Sequence, residues 1–515
     1  MTSKRISVSA LGLMTAASII TSLRGLPMMA KEELEMFFYI GFSTFLFLIP
    51  AGLVAAELGS AFGKREGGIY VWVGEAFGQK TGFIAIFLSW VQNIVWYPTG
   101  LSFAAAALAF AIGKPGVASD NIYVGAFTAI AFWLCTLAAL KSTWFASKVT
   151  QYGFILGTAI PGLVLLGVFI WWIYSGHSVG WETTTDLSVA TVTDGHSHPR
   201  WFPHLAGLGS LAFLAGILLN FAGVESQAVH ANELEKPSSG YPMVILIAAL
   251  ASFTIFTLGA LSVAGILPYE KIDIQTGVFD ALSMGFQALN APGWLLPALC
   301  LLICYGALGG VLAWITGPSR GLLATAHDGN LPPWMQKTNK AGVQKNILFI
   351  QGIVVTVLSC VYLFIKNVSV VFFLISAMAV GLYIIVYLLM FAAAIRLRYS
   401  QPHLQRSFKV PGGKTGIWLV AGIGFLAVAF SLVLCFVPPS QLPVGNPATY
   451  IALVAGGAIV FCLTPIVLER FRRPTWLPPE DKKERHASDR VSPTERLDLP
   501  RDRSHGGVNV KKYPG

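Results

Sequence analysis

Ser22-Leu23-Arg24-Gly25-Leu26-Pro27 places a helix-breaking turn inside an apolar run, residues 7–29, that is long enough to cross a bilayer. About 20 apolar residues cover roughly 30 Å of hydrocarbon as a helix. Gly25 lowers the cost of non-helical geometry, and Pro27 removes a donor and disfavours helix at Leu26. In hydrocarbon every backbone N–H and C=O must be satisfied internally. A break at membrane depth is therefore tolerated only where it lines a cavity or is buried in protein, and it marks a candidate binding site.

Outward from this stretch the same apolar signal recurs. Runs fall at 36–60, 81–112, 123–142, 149–175, 205–229, 240–266, 291–321, 346–365, 370–396, 415–437 and 449–469. With 7–29 they make about twelve spans by the same length rule. The third and eighth are long, which implies tilt. Of the 515 residues 55% are hydrophobic and 12% charged. That is about half the charged share of a soluble domain, so an all-α integral membrane protein is expected. Lys4 and Arg5 before the first run imitate a signal peptide, but the many later spans make it an uncleaved first helix.

Lys and Arg crowd alternate connections. One side holds Lys4, Arg5, Lys64, Arg65, Lys141, Lys148, Arg320, Lys337, Lys340, Arg396, Arg398 and Arg406. The other holds Lys31, Lys114, Arg200, Lys271 and Lys366. The basic side is cytoplasmic by the positive-inside rule, which puts both termini there in the cell membrane. The net charge of +10 resides in these connections and in the tail, so it is no sign of nucleic-acid binding. Residues 471–515 are rich in proline and charge and are expected to be largely disordered. Residues 176–204 form the longest outer connection. Asp194, His196, His198 and His204 read there as a solvated loop rather than a metal site, and the six cysteines read as packing residues. No cofactor is implied. The partners implied are the lipid bilayer and a small solute, and a monomer and a homodimer both stay open.

A second break, weaker, is Asn220-Phe221-Ala222-Gly223-Val224-Glu225 in the sixth span. Two breaks five spans apart fit inverted repeats, approximately 7–175 and 205–396, with peripheral helices over 415–469. Unwound turns offer N–H donors at a half-helix start and carbonyls at a half-helix end. Ser22 to Gly25 and Phe221 to Gly223 can thus hold the carboxylate and ammonium of an α-amino acid through backbone groups. Each break also carries an ionisable residue, expensive at this depth and a functional candidate for that reason. Arg24 offers a planar fork for a carboxylate, and Glu225 a proton-carrying or gating carboxylate. The structural alternative is a plain Arg24–Glu225 pair joining the two helices. Trp314, in the long eighth span, and Tyr383 and Tyr387, one turn apart in the tenth, are candidate gate residues, with packing as the alternative.

These segments also resemble a known family. Phe221-Ala-Gly-Val-Glu-Ser with His230-Ala-Asn-Glu-Leu, Trp314-Ile-Thr-Gly-Pro-Ser-Arg-Gly321, Tyr383-Ile-Ile-Val-Tyr387, Arg406-Ser-Phe-Lys-Val-Pro-Gly-Gly-Lys414 and Glu57 followed by Glu66-Gly-Gly-Ile-Tyr-Val-Trp72 look like the amino acid/polyamine/organocation superfamily, and within it the bacterial glutamate/GABA antiporters. The resemblance covers roughly 7–470. It implies a LeuT-type core of ten helices in two inverted repeats plus two peripheral helices, and amino-acid exchange without a covalent step. By position Glu225 matches the family's functional glutamate, Trp314 its gate tryptophan, and Tyr383 and Tyr387 its tenth-helix tyrosines. The tail resembles, in position and basic character, a plug that closes the cytoplasmic path. At the first break the family has a Tyr-Glu pair where this chain has Arg24-Gly25. That change from acidic to basic favours a second carboxylate on the substrate and disfavours arginine or polyamines. A symporter or uniporter of the same fold and an amino-acid-sensing receptor are the competing readings. An enzyme lacks a nucleophile–base set, and a channel lacks a repeated filter.

Overall fold

The computed structural model describes residues 7–477 except 64, 66, 185, 188, 194, 195, 206, 227, 229–233 and 235. Eleven helical segments among these are long and apolar enough to cross a membrane: Glu33–Phe62, Gln79–Ala111, Asn121–Lys141, Phe145–Tyr174, Leu208–Ser226, Ser238–Ile266, Leu295–Ala324, Lys345–Phe364, Val368–Ser400, Gly413–Cys435 and Pro447–Arg470. A twelfth is the bent pair Val8–Ile19 and Leu23–Ala30, which meet at 53°. Each lies close to an apolar run of the sequence, because burying about 20 apolar residues in lipid leaves little freedom in placing a span.

The third span packs against both the eighth and the tenth, and the first half of the opening span lies along the seventh. The tenth, Val368–Ser400, is 94% buried over its apolar window, whereas the last, Pro447–Arg470, is 17% buried. The first is thus a core helix and the second a peripheral one facing lipid.

Small residues let the fifth and eighth spans touch. A Cβ on Gly157 would stand 2.2 Å from the Leu302 carbonyl oxygen and 2.4 Å from Gly306 Cα. Such close backbone approach is how helices associate in lipid, where no hydrophobic force drives them together. Gly157→Ala is expected to lower stability by about 1–3 kcal/mol through overpacking. Gly167→Ala, on the same span with nothing within 4 Å, is the control, and thermal unfolding in detergent reads both.

Several elements depart from expectation. Helices Ile69–Phe77 and Gly277–Ala288 lie between spans, too short to cross. The connection expected to be a flexible loop, 176–204, instead carries an antiparallel hairpin pairing Ala190–Thr193 with His196–Pro199. Arg200 at its end pairs with Glu35 at 3.4 Å, which anchors the hairpin to the second span. Asp194 lies outside the described residues. So does most of the tail, 478–515. Its described start, expected to be disordered, is docked: Arg472 donates to the Asp328 carbonyl, and Gln336 Nε2 donates to the Trp476 carbonyl at 2.9 Å.

Polar groups are buried at the end of the bundle opposite Arg65 and Arg320. Lys31 Nζ donates to the Tyr269 carbonyl at 2.8 Å and stands 3.7 Å over its ring. Gln441 Nε2 donates to Glu32 at 2.9 Å, and Ser369 donates to Asp273 at 2.5 Å. Burial pushes the Glu32 carboxyl well above the usual range, with Glu35 adding to it. Burial likewise pushes Asp280 up to about 6. A carboxyl whose folded pKa is raised penalises the folded state above that pKa, and the penalty lifts as pH falls through it. Wild type is therefore expected to gain a little under ~1 kcal/mol relative to Asp280→Asn on going from pH 7.5 to 5.5. Thermal unfolding of the two proteins at both pH values measures the difference.

Candidate functional site

The two breaks meet at the middle of the bundle. The first helix ends at Ile19, and Ser22 is fully extended (φ −166°, ψ 171°) before the chain re-enters helix at Leu23. The unwound residues are thus Ile20 to Ser22, just ahead of Arg24-Gly25, with the Ser22 hydroxyl accepting from the Arg24 N–H at 3.4 Å. In the sixth span helix stops at Asn220, and Gly223 adopts φ +111°. A side chain there would be strained, and its Cβ would stand 3.1 Å from Trp314 and 3.2 Å from the Ser18 carbonyl oxygen. Gly25 is as tight: a Cβ would lie 2.6 Å from the Asn220 side chain. Both breaks use glycine so that the helices can touch.

Glu225 follows the second break directly and is held by the tenth span. The Tyr383 hydroxyl donates to Glu225 Oε1, and that of Tyr387 donates to Oε2 at 2.5 Å. The Tyr387 oxygen also accepts the Gly223 N–H at 3.1 Å. One tyrosine thus ties the carboxylate to the unwound backbone. Phe47 packs edge-on against Tyr387, with ring centroids 4.8 Å apart, which fixes its tilt.

Arg24 lies elsewhere. Its guanidinium donates to Thr99 Oγ1 at 3.2 Å and to Asn220 Oδ1 at 3.5 Å. It sits 5.4 Å from the ring centroids of both Trp96 and Phe372. Only 6% of the residue is exposed. Arg24 and Glu225 make no ion pair with each other, and among the described residues Arg24 pairs with no carboxylate. The bland reading of the two as a helix-joining pair therefore fails.

Two chambers adjoin the breaks. The larger, about 820 Å³, is lined by Ser18, Thr21, Glu225, Trp314, Tyr383 and Tyr387 and extends to Arg65 and Arg320 at the basic end of the bundle. The smaller, about 50 Å³, is lined by Arg24, Gln92, Asn93, Trp96, Asn220 and Ala222, together with Ser18, Thr21, Trp314 and Tyr383, which also line the first. Of the residues singled out in the sequence, Arg24, Ala222, Glu225, Trp314, Tyr383 and Tyr387 line one chamber or both. Ser22, Leu23, Gly25, Phe221 and Gly223 line neither. The Phe221 side chain is buried against Phe256, and Leu23 is buried in the core.

Sequence reasoning missed Gln92, Asn93 and Thr99, and took Asn220 only as the edge of a break. A signal existed: Gln92-Asn93 is a polar pair in the middle of an apolar run, and intramembrane amides of this kind carry helix contacts or a site.

A family model described as amino acid permease matches residues 5–460. An uncharacterized transporter of Legionella pneumophila is 36% identical over 446 residues, covering 87% of this chain and 92% of the relative. A glutamate/gamma-aminobutyrate antiporter of Lactococcus lactis is 30% identical over 472 residues, 91% of each chain. An aspartate/glutamate permease of the same species is 24% identical over 442 residues, 82% of this chain and 85% of the relative. With its multi-pass helical body and two touching helix breaks, the chain belongs to the amino acid permease family of the amino acid/polyamine/organocation transporters.

Proposed function

We propose that the chain is an antiporter exchanging glutamate- and GABA-like amino acids across the cytoplasmic membrane by alternating access, with both termini cytoplasmic. The observation that carries this is the meeting of two unwound helices beside Glu225, at the inner limit of a cavity that reaches the basic end of the bundle. The identity to a relative named for glutamate/gamma-aminobutyrate antiport supports the exchange mode.

Backbone groups at the two breaks take the substrate's α-carboxylate and ammonium. Arg24 is the fixed cation and Glu225 the proton-dependent carboxylate. Protonating Glu225 weakens its hold on Tyr387. That frees the tyrosine, and with it the Gly223 N–H, to turn to a substrate carboxylate. Trp314, against which Gly223 packs, and the two tyrosines close over the substrate. Helices one, two, six and seven rock against the remainder, in two inverted repeats with the last two spans outside them. The tail beyond residue 470 covers the cytoplasmic mouth when transport is off.

The test is counterflow in proteoliposomes at pH 5.5 and 7.5. Labelled glutamate is added outside vesicles holding glutamate, GABA, arginine or nothing. Uptake is expected only with internal glutamate or GABA, and faster at pH 5.5. Equal uptake into empty vesicles would replace exchange by uniport or symport.

A further inference from the structure

The large cavity accounts for Glu225, Trp314 and the tyrosines, but not for the small chamber beside it. That chamber holds a buried cation with an incomplete set of partners. A guanidinium carries five N–H donors. Thr99 and Asn220 take two of them, and among the described residues the rest of the fork has no protein acceptor. Asn220 is itself oriented: its Nδ2 donates to the Gly216 carbonyl at 3.1 Å, which leaves Oδ1 for Arg24. Gln92, 3% exposed, contributes an Oε1 that has no partner either. The protein alone thus does not complete the polar groups of this chamber.

An uncompensated charge at membrane depth is costly, and the guanidinium fork matches the two oxygens of a carboxylate. A water needs about 10–15 Å³ of such space. About 50 Å³ therefore admits a few waters or one carboxylate, and no long cationic chain. Because Ser18, Thr21, Trp314 and Tyr383 line both chambers, one small molecule can lie in the large cavity and reach into the small one.

We propose that the Arg24 chamber receives the side-chain carboxylate of the cargo. The substrate class is then amino acids with a carboxylate at the far end, and Thr99 and Asn220 are positioning residues that aim the fork. This rests on the amino-acid exchanger reading and names its specificity.

The test compares labelled glutamate with labelled glutamine, which has the same shape without the charge, in counterflow and in thermal stabilisation of the detergent-purified protein. Wild type is expected to favour glutamate about tenfold or more in both, the worth of a hydrogen-bonded charged contact. Arg24→Gln should abolish that preference in both readouts. Asn220→Asp keeps the cation but supplies it with an internal carboxylate, so it should also lose the preference. This variant decides the matter if Arg24→Gln does not purify as a monodisperse protein. Glutamate preference unchanged within twofold in the variants, or wild type stabilised no better by glutamate than by glutamine, overturns the assignment. Stabilisation by glutamate that is lost in Asn220→Asp, without exchange of any amino acid by wild type, would remove the exchanger reading and leave the chamber assignment standing.

Discussion

Glu57→Ala is expected to destabilise the protein by about 3–5 kcal/mol, the cost of stripping one partner from a buried charge cluster. Glu57 binds Arg398 through two contacts, Nε at 2.5 Å and Nη2 at 2.6 Å. It also meets Arg406 Nε at 3.1 Å and accepts the Val410 N–H at 2.8 Å. The side chains of Glu57, Arg398 and Arg406 are at most 4% exposed. Nearby Ser60 donates to the Phe408 carbonyl and accepts the Phe408 N–H. Together these contacts clamp the connection after the tenth span onto the end of the second. Without the carboxylate two guanidinium groups stay buried with no other carboxylate paired to them among the described residues. A large fall in the thermal unfolding midpoint in detergent is the expected result. Restoration of much of the loss by Arg398→Leu in the same chain would show that the unpaired charge, rather than the missing packing, is the cost.

Glu225→Gln is expected to make exchange independent of pH between 5.5 and 7.5, because the neutral amide stands in for the protonated carboxyl at both values, so that the variant at pH 7.5 runs at about the rate wild type reaches only at pH 5.5. An amide in this place still accepts from Tyr383 or Tyr387, so the local geometry survives while the titration disappears. Tyr387→Phe acts on the same unit through a different bond. It removes both the donor to Glu225 and the acceptor of the Gly223 N–H, so it should impair exchange more than Tyr383→Phe. Initial rates across pH for the three variants separate these effects. A Glu225→Gln protein that retains the full wild-type pH profile would remove the proton-dependent role from this carboxylate.

The spans were legible because length and apolarity act residue by residue, and neighbouring structure does little to alter them. The breaks were legible because Gly25 with Pro27, and Gly223, sit beside an ionisable residue inside an apolar run and weaken helix there. The first unwound stretch nevertheless falls at Ile20 to Ser22, slightly ahead of the glycine that signals it. Gly25 serves instead as the contact point for Asn220, and that need belongs to the partner helix. Glu57 was visible as part of a motif, but its job depends on an arginine 341 residues away, a pairing that only the folded chain makes. Glu225, Tyr383 and Tyr387 were each visible, and their triangle with the Gly223 N–H was not. The hairpin at 190–199 and the helices Ile69–Phe77 and Gly277–Ala288 escaped the reading. They are short, and their stability comes from what they pack against rather than from local pattern.

The most direct measurement is a cryo-electron-microscopy map of the full chain in lipid nanodiscs with saturating glutamate at pH 5.5. Density for one amino acid is expected between the two helix breaks. Its far carboxylate should lie on the Arg24 guanidinium, its α-groups on the unwound backbone near Gly223, and the tyrosine hydroxyls should have turned away from Glu225. Glutamate density outside both chambers, or an Arg24 fork left without a carboxylate while glutamate occupies the cavity, would contradict it.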